Sequence, residues 1–175
     1  YNTSRFRSCY EAWGKNLMAC ISFAAEEGEE VIVKTSVSAV STAGATLNLQ
    51  ELNGMTFDAL REKGVGLWEK ELSKYQIEAK PEVKEAFYTA AYRAALHPFV
   101  FQDADGQFRG LDKNIEKAGG FTNYTVFSLW DTYRALHPWF NLVHQDVNAD
   151  IANSMLAHYD KSVEKMCADM VFLWQ

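Results

Sequence analysis

Near the start of the chain the apolar side chains fall at every second position: Leu17, Ala19, Ile21 and Phe23, then Val31, Val33, Thr35 and Val37. A period of two predicts two β-strands, because successive strand side chains point to opposite faces. Between them Glu26, Glu27, Gly28, Glu29 and Glu30 form a charged, glycine-containing connection suited to join antiparallel neighbours in water. Two strands alone are only marginally stable, so this hairpin calls for more sheet or a helical layer against it.

From about Thr42 the period becomes helical. Phe57, Leu60, Gly64, Leu67, Trp68 and Tyr75 recur at steps of three and four, and Thr56 is placed to cap the start of that helix. A second helix is predicted over residues 82–96: Pro81 suits its first turn, Glu82 and Glu85 suit its positive end, and Val83, Phe87, Ala90, Ala91 and Ala94 form the stripe to be buried. His97-Pro98 stops it, since proline disfavours the α conformation in the residue before it. A third helix, over residues 125–136, is expected to end in the same way at His137-Pro138, and a fourth, over 148–166, carries Ile151, Met155, Tyr159, Val163 and Met166 on one face. The endings Tyr92-Arg93-Ala94-Ala95-Leu96-His97-Pro98 and Tyr133-Arg134-Ala135-Leu136-His137-Pro138 are near copies about forty residues apart, a spacing in the range of helix-pair repeats. The predicted class is therefore α+β: the end of a β-domain over residues 1–40, a helical linker over 41–80, and the start of an array of helical hairpins over 81–166.

Composition narrows the partners. A net charge of −6 and no cluster of Lys or Arg argue against nucleic acid, whose binding depends on neutralising phosphates. No stretch approaches the roughly 20 apolar residues needed to cross a bilayer. Cys9, Cys20 and Cys167 have neither the number of a disulfide framework nor the spacing of a zinc site. Five Trp, eight Tyr and eleven Phe are more rings than a small helical domain needs to fill a core, and sugar-binding clefts use such rings; for most of them interior packing is the expected role.

Two segments could carry chemistry. Asp103-Ala104-Asp105-Gly106 resembles the opening of a calcium loop, but counting from Asp103 puts Phe108 at position six and Asn114 at position twelve, where an EF-hand needs Gly and Glu. A tight turn with strand-like flanks is the expectation, without a metal. In the denser run from Thr122 to Arg134, a helix would put Phe127, Trp130, Asp131 and Arg134 along one face. A carboxylate and a guanidinium hydrogen-bond vicinal hydroxyls while an indole covers the C–H face of a pyranose, so the set suits a sugar. Spacing alone favours an Asp131–Arg134 ion pair beside core rings over a sugar site. His97, His137, His144 and His158 show no metal spacing, and the chain has no Ser/His/Asp order, phosphate loop or Cys/His dyad.

The run Phe127-Ser128-Leu129-Trp130-Asp131-Thr132-Tyr133-Arg134-Ala135-Leu136-His137-Pro138 strongly resembles glycoside hydrolase family 92, the calcium-dependent exo-acting α-mannosidases. Further landmarks follow that family's order: Lys34-Thr35-Ser36-Val37-Ser38 with Ser41, Leu47-Asn48-Leu49 with Glu51, Phe87-Tyr88-Thr89-Ala90-Ala91-Tyr92 with His97-Pro98, and the Asp103-x-Asp105-Gly106 turn. The resemblance covers most of residues 15–166. It implies a fragment: the final hairpin of an N-terminal β-sandwich, a helical linker, then the first helical hairpins of an (α/α)6 barrel. It further implies an inverting exo-α-mannosidase acting on terminal bonds, α-1,2 ones foremost, of N-glycans or mannans outside the cytoplasm. Trp130 and Asp131 are expected to line the terminal-mannose subsite, with Arg134 a weaker candidate that orients Asp131. The acid and base carboxylates and the calcium ligands are expected downstream, so the fragment itself is expected to hold no catalytic residue and no metal. Residues 167–175 depart from the family's Leu-Pro-x-Trp run and are expected to be an aberrant tail, read one nucleotide out of frame from Cys167. The competing expectation is a non-catalytic carbohydrate-binding or helical interaction module.

Overall fold

The computed structural model describes residues 12–160, and the chain divides into two units, one ending at Val33 and the other beginning at Lys34. In the first unit the expected connection is present as a turn: Glu29 N–H donates to Glu26 O at 3.1 Å, and Gly28 takes a φ of +88° that favours glycine. The flanking strands are not. Residues 12–33 carry no ladder and are exposed throughout, with Ile21 and Ile32 open to solvent. A two-stranded ribbon by itself gains too little burial to offset the ordering of its backbone.

The second unit begins with Lys34–Ser41, which runs into helix α1 (Thr42–Leu49) and a 3-10 turn (Gln50–Leu52). Ser41 caps α1 by accepting from Gly44 N–H at 3.0 Å. Helix α2 (Phe57–Leu72) starts where the sequence predicts, with Thr56 Oγ1 accepting from Ala59 N–H at 3.2 Å. Helix α3 (Pro81–Ala94) begins on its proline. The expected buried stripes are only partly buried: Phe57, Leu67 and Val83 are exposed, and Ala91 is the one buried position of α3. α2 and α3 meet through Trp68 and Tyr92, whose ring centroids lie 4.4 Å apart.

After His97-Pro98 the chain forms four short strands, β1 (Phe99–Val100), β2 (Gln107–Arg109), β3 (Ile115–Lys117) and β4 (Tyr124–Thr125). They pair as two antiparallel ribbons, β1 with β4 (Phe99 opposite Thr125) and β2 with β3 (Phe108 opposite Glu116). The expected turn precedes β2: Gly106 N–H donates to Asp103 O at 2.8 Å, and Gly106 has a φ of +82°.

Asp103 does more than shape this turn. Its buried carboxylate accepts from Ser38 Oγ at 2.6 Å and from Asn48 Nδ2 at 2.8 Å, while Ala104 N–H donates to Asn48 Oδ1 at 2.8 Å. One aspartate thus fastens α1 and the segment before it to the β2–β3 ribbon. Arg109 adds a second fastening from β2, donating to Ala39 O at 2.6 Å and Val40 O at 3.1 Å.

The third predicted helix is replaced by two. Helix α4 (Leu129–Thr132) is a single turn, and α5 (Leu136–Val143) runs straight through His137-Pro138. The proline does not stop α5 because it lies in the first turn, where N–H groups have no intrahelical partner; the first bond of the ladder is Trp139 N–H to Ala135 O at 2.8 Å. Helix α6 (Gln145–Asp160) buries Ile151, Ser154 and His158, while Tyr159 is exposed. Phe127, Phe140 and Ile151 form the core, with Tyr124, Leu136, Trp139, Val147 and Met155 packed on it.

A polar knot ties the α2–α3 pair to this core. Tyr75 OH lies 2.8 Å from His144 Nε2, Glu71 Oε1 lies 3.1 Å from the same nitrogen, and Tyr88 OH donates to Tyr75 O at 2.8 Å.

The packing at Asp103 leaves no room for a side chain at position 44. A Cβ there would stand 2.1 Å from Asp103 Oδ2 and 2.8 Å from Ser38 Oγ. Gly44→Ala is expected to destabilise the fold by about 1–3 kcal/mol, the usual cost of overpacking. Urea unfolding checks this; an unchanged midpoint would contradict it.

Candidate functional site

The segment that leads to the sugar candidates is fixed from both sides. Asn123 is fully buried: its N–H donates to Gln102 Oε1 at 2.7 Å and its Nδ2 to Phe101 O at 2.8 Å. One residue on, Tyr124 N–H donates to the buried Ser154 Oγ at 2.9 Å, which secures β4 to α6. Phe127 then enters the core, edge-on to His158 at 6.3 Å. The chain emerges at Ser128 and turns once as α4.

Trp130 and Asp131 both sit on that single turn. Trp130 is 85% exposed, in contrast with Phe127 at 8%, so of these two rings only the indole offers a face to a ligand. Asp131 is exposed as well. Its Oδ2 accepts from Ser128 Oγ, and its N–H donates to Ser128 O at 3.0 Å. The helix does not reach Arg134, so the expected line of four side chains along one helical face is not formed: Phe127 precedes α4 and Arg134 follows it. Nor is the Asp131–Arg134 ion pair present. Arg134 turns to its neighbour, with Nε donating to Tyr133 OH at 2.7 Å and the guanidinium 5.5 Å from the Tyr133 ring centre. Arg134 therefore does not orient Asp131; Ser128 holds it instead. The signal for Ser128 was its spacing, Ser-x-x-Asp at a helix start, which ordinarily marks a capping box.

Among the described residues, no group of three or more His, Cys, Asp or Glu side chains is placed to hold a metal ion. Cys20 is free and exposed, while Cys9, Cys167 and the whole 167–175 tail lie outside the described residues. No helix among the described residues is long and apolar enough to cross a membrane. The groove of about 550 Å³ between α2 and α3, lined by Val65, Trp68, Leu72 and Tyr88, involves none of the sugar candidates.

Short strands, one exposed indole beside a half-held carboxylate, and a helical array define a small α+β segment with a candidate sugar subsite. Residues 44–171 match the model of the glycosyl hydrolase family 92 catalytic domain, and the chain belongs to that family. Among solved structures it is similar to a family GH92 α-mannosidase from Bacteroides thetaiotaomicron, at 74% identity and a TM-score of 0.81, covering 95% of this chain and 22% of that one. The same protein in complex with mannoimidazole gives a TM-score of 0.82. The GH92 glycosyl hydrolase ccman5 is more distant, at 27% identity and a TM-score of 0.69, covering 73% of this chain and 18% of that one. No curated protein matches the chain. The chain thus spans about a fifth of the length of the α-mannosidase it resembles.

His158 gives the site's foundation a pH dependence. It lies between Phe108, 5.9 Å away, and Phe127, and burial pushes its pKa below the ordinary value. The unfolded chain then binds the proton more readily than the folded one, so stability is complete above about pH 6.5 and falls as pH drops through the folded-state pKa. His158→Leu is expected to flatten that fall, as checked by thermal unfolding between about pH 7 and pH 5. An equal slope in both proteins would contradict it.

Proposed function

We propose that this chain is a segment of an inverting exo-α-mannosidase that removes terminal α-mannosyl residues, α-1,2-linked ones foremost, from N-glycans or mannans outside the cytoplasm. The observation that carries the reading is the 74% identity, over 95% of the chain, to an α-mannosidase. The exposed indole and carboxylate on α4 supply its local chemistry. Trp130 covers the C–H face of the terminal mannose, and Asp131 accepts a sugar hydroxyl. Arg134 keeps at most a peripheral place, since it is engaged by Tyr133.

Inversion requires a carboxylic acid on the leaving oxygen and a carboxylate that activates water on the opposite face, about 6.5–9.5 Å apart. In this reading both belong to the remainder of a longer protein, as do the calcium ligands. The exposed Phe57, Leu67 and Leu142 are then faces which that remainder covers.

The chain alone should therefore release no mannose from an α-1,2-linked mannobioside in the presence of calcium. Turnover by the isolated chain would show that the acid and base lie within it. In the longer enzyme, Trp130→Ala is expected to lower kcat/KM about tenfold, the scale of a lost ring contact. An unchanged value would remove Trp130 from the subsite.

A further inference from the structure

The two oxygens of the Asp131 carboxylate have different surroundings. Oδ2 accepts the Ser128 hydroxyl, whereas Oδ1 has no partner among the described residues. Ser128 is itself anchored. It follows the buried Phe127, and its carbonyl accepts from Asp131 N–H, from Thr132 N–H and from Thr132 Oγ1, each at 3.0 Å.

At the Ser-x-x-Asp spacing a serine hydroxyl usually accepts from the backbone N–H three residues on. Here that N–H is taken by the serine's own carbonyl, which leaves the hydroxyl free to act as a donor. A carboxylate is the strongest acceptor within its reach. The result is a side chain with one oxygen held and the other available.

We propose that Ser128 is a positioning residue of the mannose subsite. Its hydroxyl holds Asp131 Oδ2 so that Oδ1 is ready, without further ordering, to accept a hydroxyl of the terminal sugar. The proposal rests on the reading of Asp131 as a sugar acceptor. A free carboxylate would have to be ordered on each binding event, and holding it beforehand removes that cost.

The test is a double-mutant cycle in the full-length enzyme that carries this segment, assayed on an α-1,2-linked mannobioside. Asp131→Asn should lower kcat/KM by about tenfold or more, and Ser128→Ala by about three- to tenfold, mostly through KM. Ser128→Thr, which keeps the hydroxyl, should stay within about twofold of the parent. In the Asp131→Asn background, Ser128→Ala should add less than about twofold, since the group it positions is already altered. If Ser128→Ala matches the parent while Asp131→Asn is impaired, the positioning role is wrong and Asp131 keeps its own. If Ser128→Ala costs as much in either background, Ser128 acts on the fold at large and the proposal is overturned. If Asp131→Asn matches the parent, the sugar-acceptor reading fails and takes Ser128 with it.

Discussion

A carboxylate is taken out of water only where donors replace its hydration, and Asp103 meets that condition with groups separated from it by more than fifty residues. Ser38 and Asn48 satisfy its two oxygens, and Asn48 returns the contact by accepting from Ala104 N–H. Removing Ser38 or Asn48 takes a donor away from a buried carboxylate, the costly side of a broken hydrogen bond. Gly44 is the corollary, since only a residue without Cβ lets α1 come this close. With the ribbon of β2 and β3 seated this way, Phe108 is buried from β2 and meets the edge of His158 on α6.

From there the path to the candidate subsite is a sequence of small constraints. β1 pairs with β4, Asn123 is closed in by Gln102 and Phe101, and β4 is hydrogen-bonded to Ser154. Phe127 fills the core, and the next three residues bring Trp130 to the surface. The exposure of that indole follows from the burial of its neighbour: a single turn too short to pack both rings gives the core to one and solvent to the other.

The parts of this arrangement that obey a local rule were legible in the sequence. Thr56 caps α2, Pro81 opens α3, and Gly106 turns the chain before β2, each through chemistry confined to a few residues. Ribbons of two or three residues are too short to show a period, so β1 and β4 escaped notice although they set the frame of the site. The two His-Pro copies misled for a physical reason. Proline interrupts a helix where its missing N–H or its ring would disturb an established turn; Pro98 lies beyond the end of α3 at Ala94, whereas Pro138 stands in the first turn of α5, where no partner is lost. The helix expected through Arg134 failed because Ser128 and Tyr133 bound a single turn, and that also undid the supposed pairing with Asp131. Ser38, Asn48 and Asp103 were each visible as family landmarks, but that they meet is a fact of three dimensions alone.

In the proposed enzyme, α4 presents an indole face and a carboxylate oxygen to a terminal mannose. A crystal structure of the full-length enzyme with a mannose-like inhibitor tests it most directly. The sugar's C–H face is expected against Trp130 at van der Waals distance, about 4 Å, and a sugar hydroxyl within about 3 Å of Asp131 Oδ1, with Oδ2 still on Ser128. An inhibitor bound in the active site with Trp130 and Asp131 both left in solvent would contradict it.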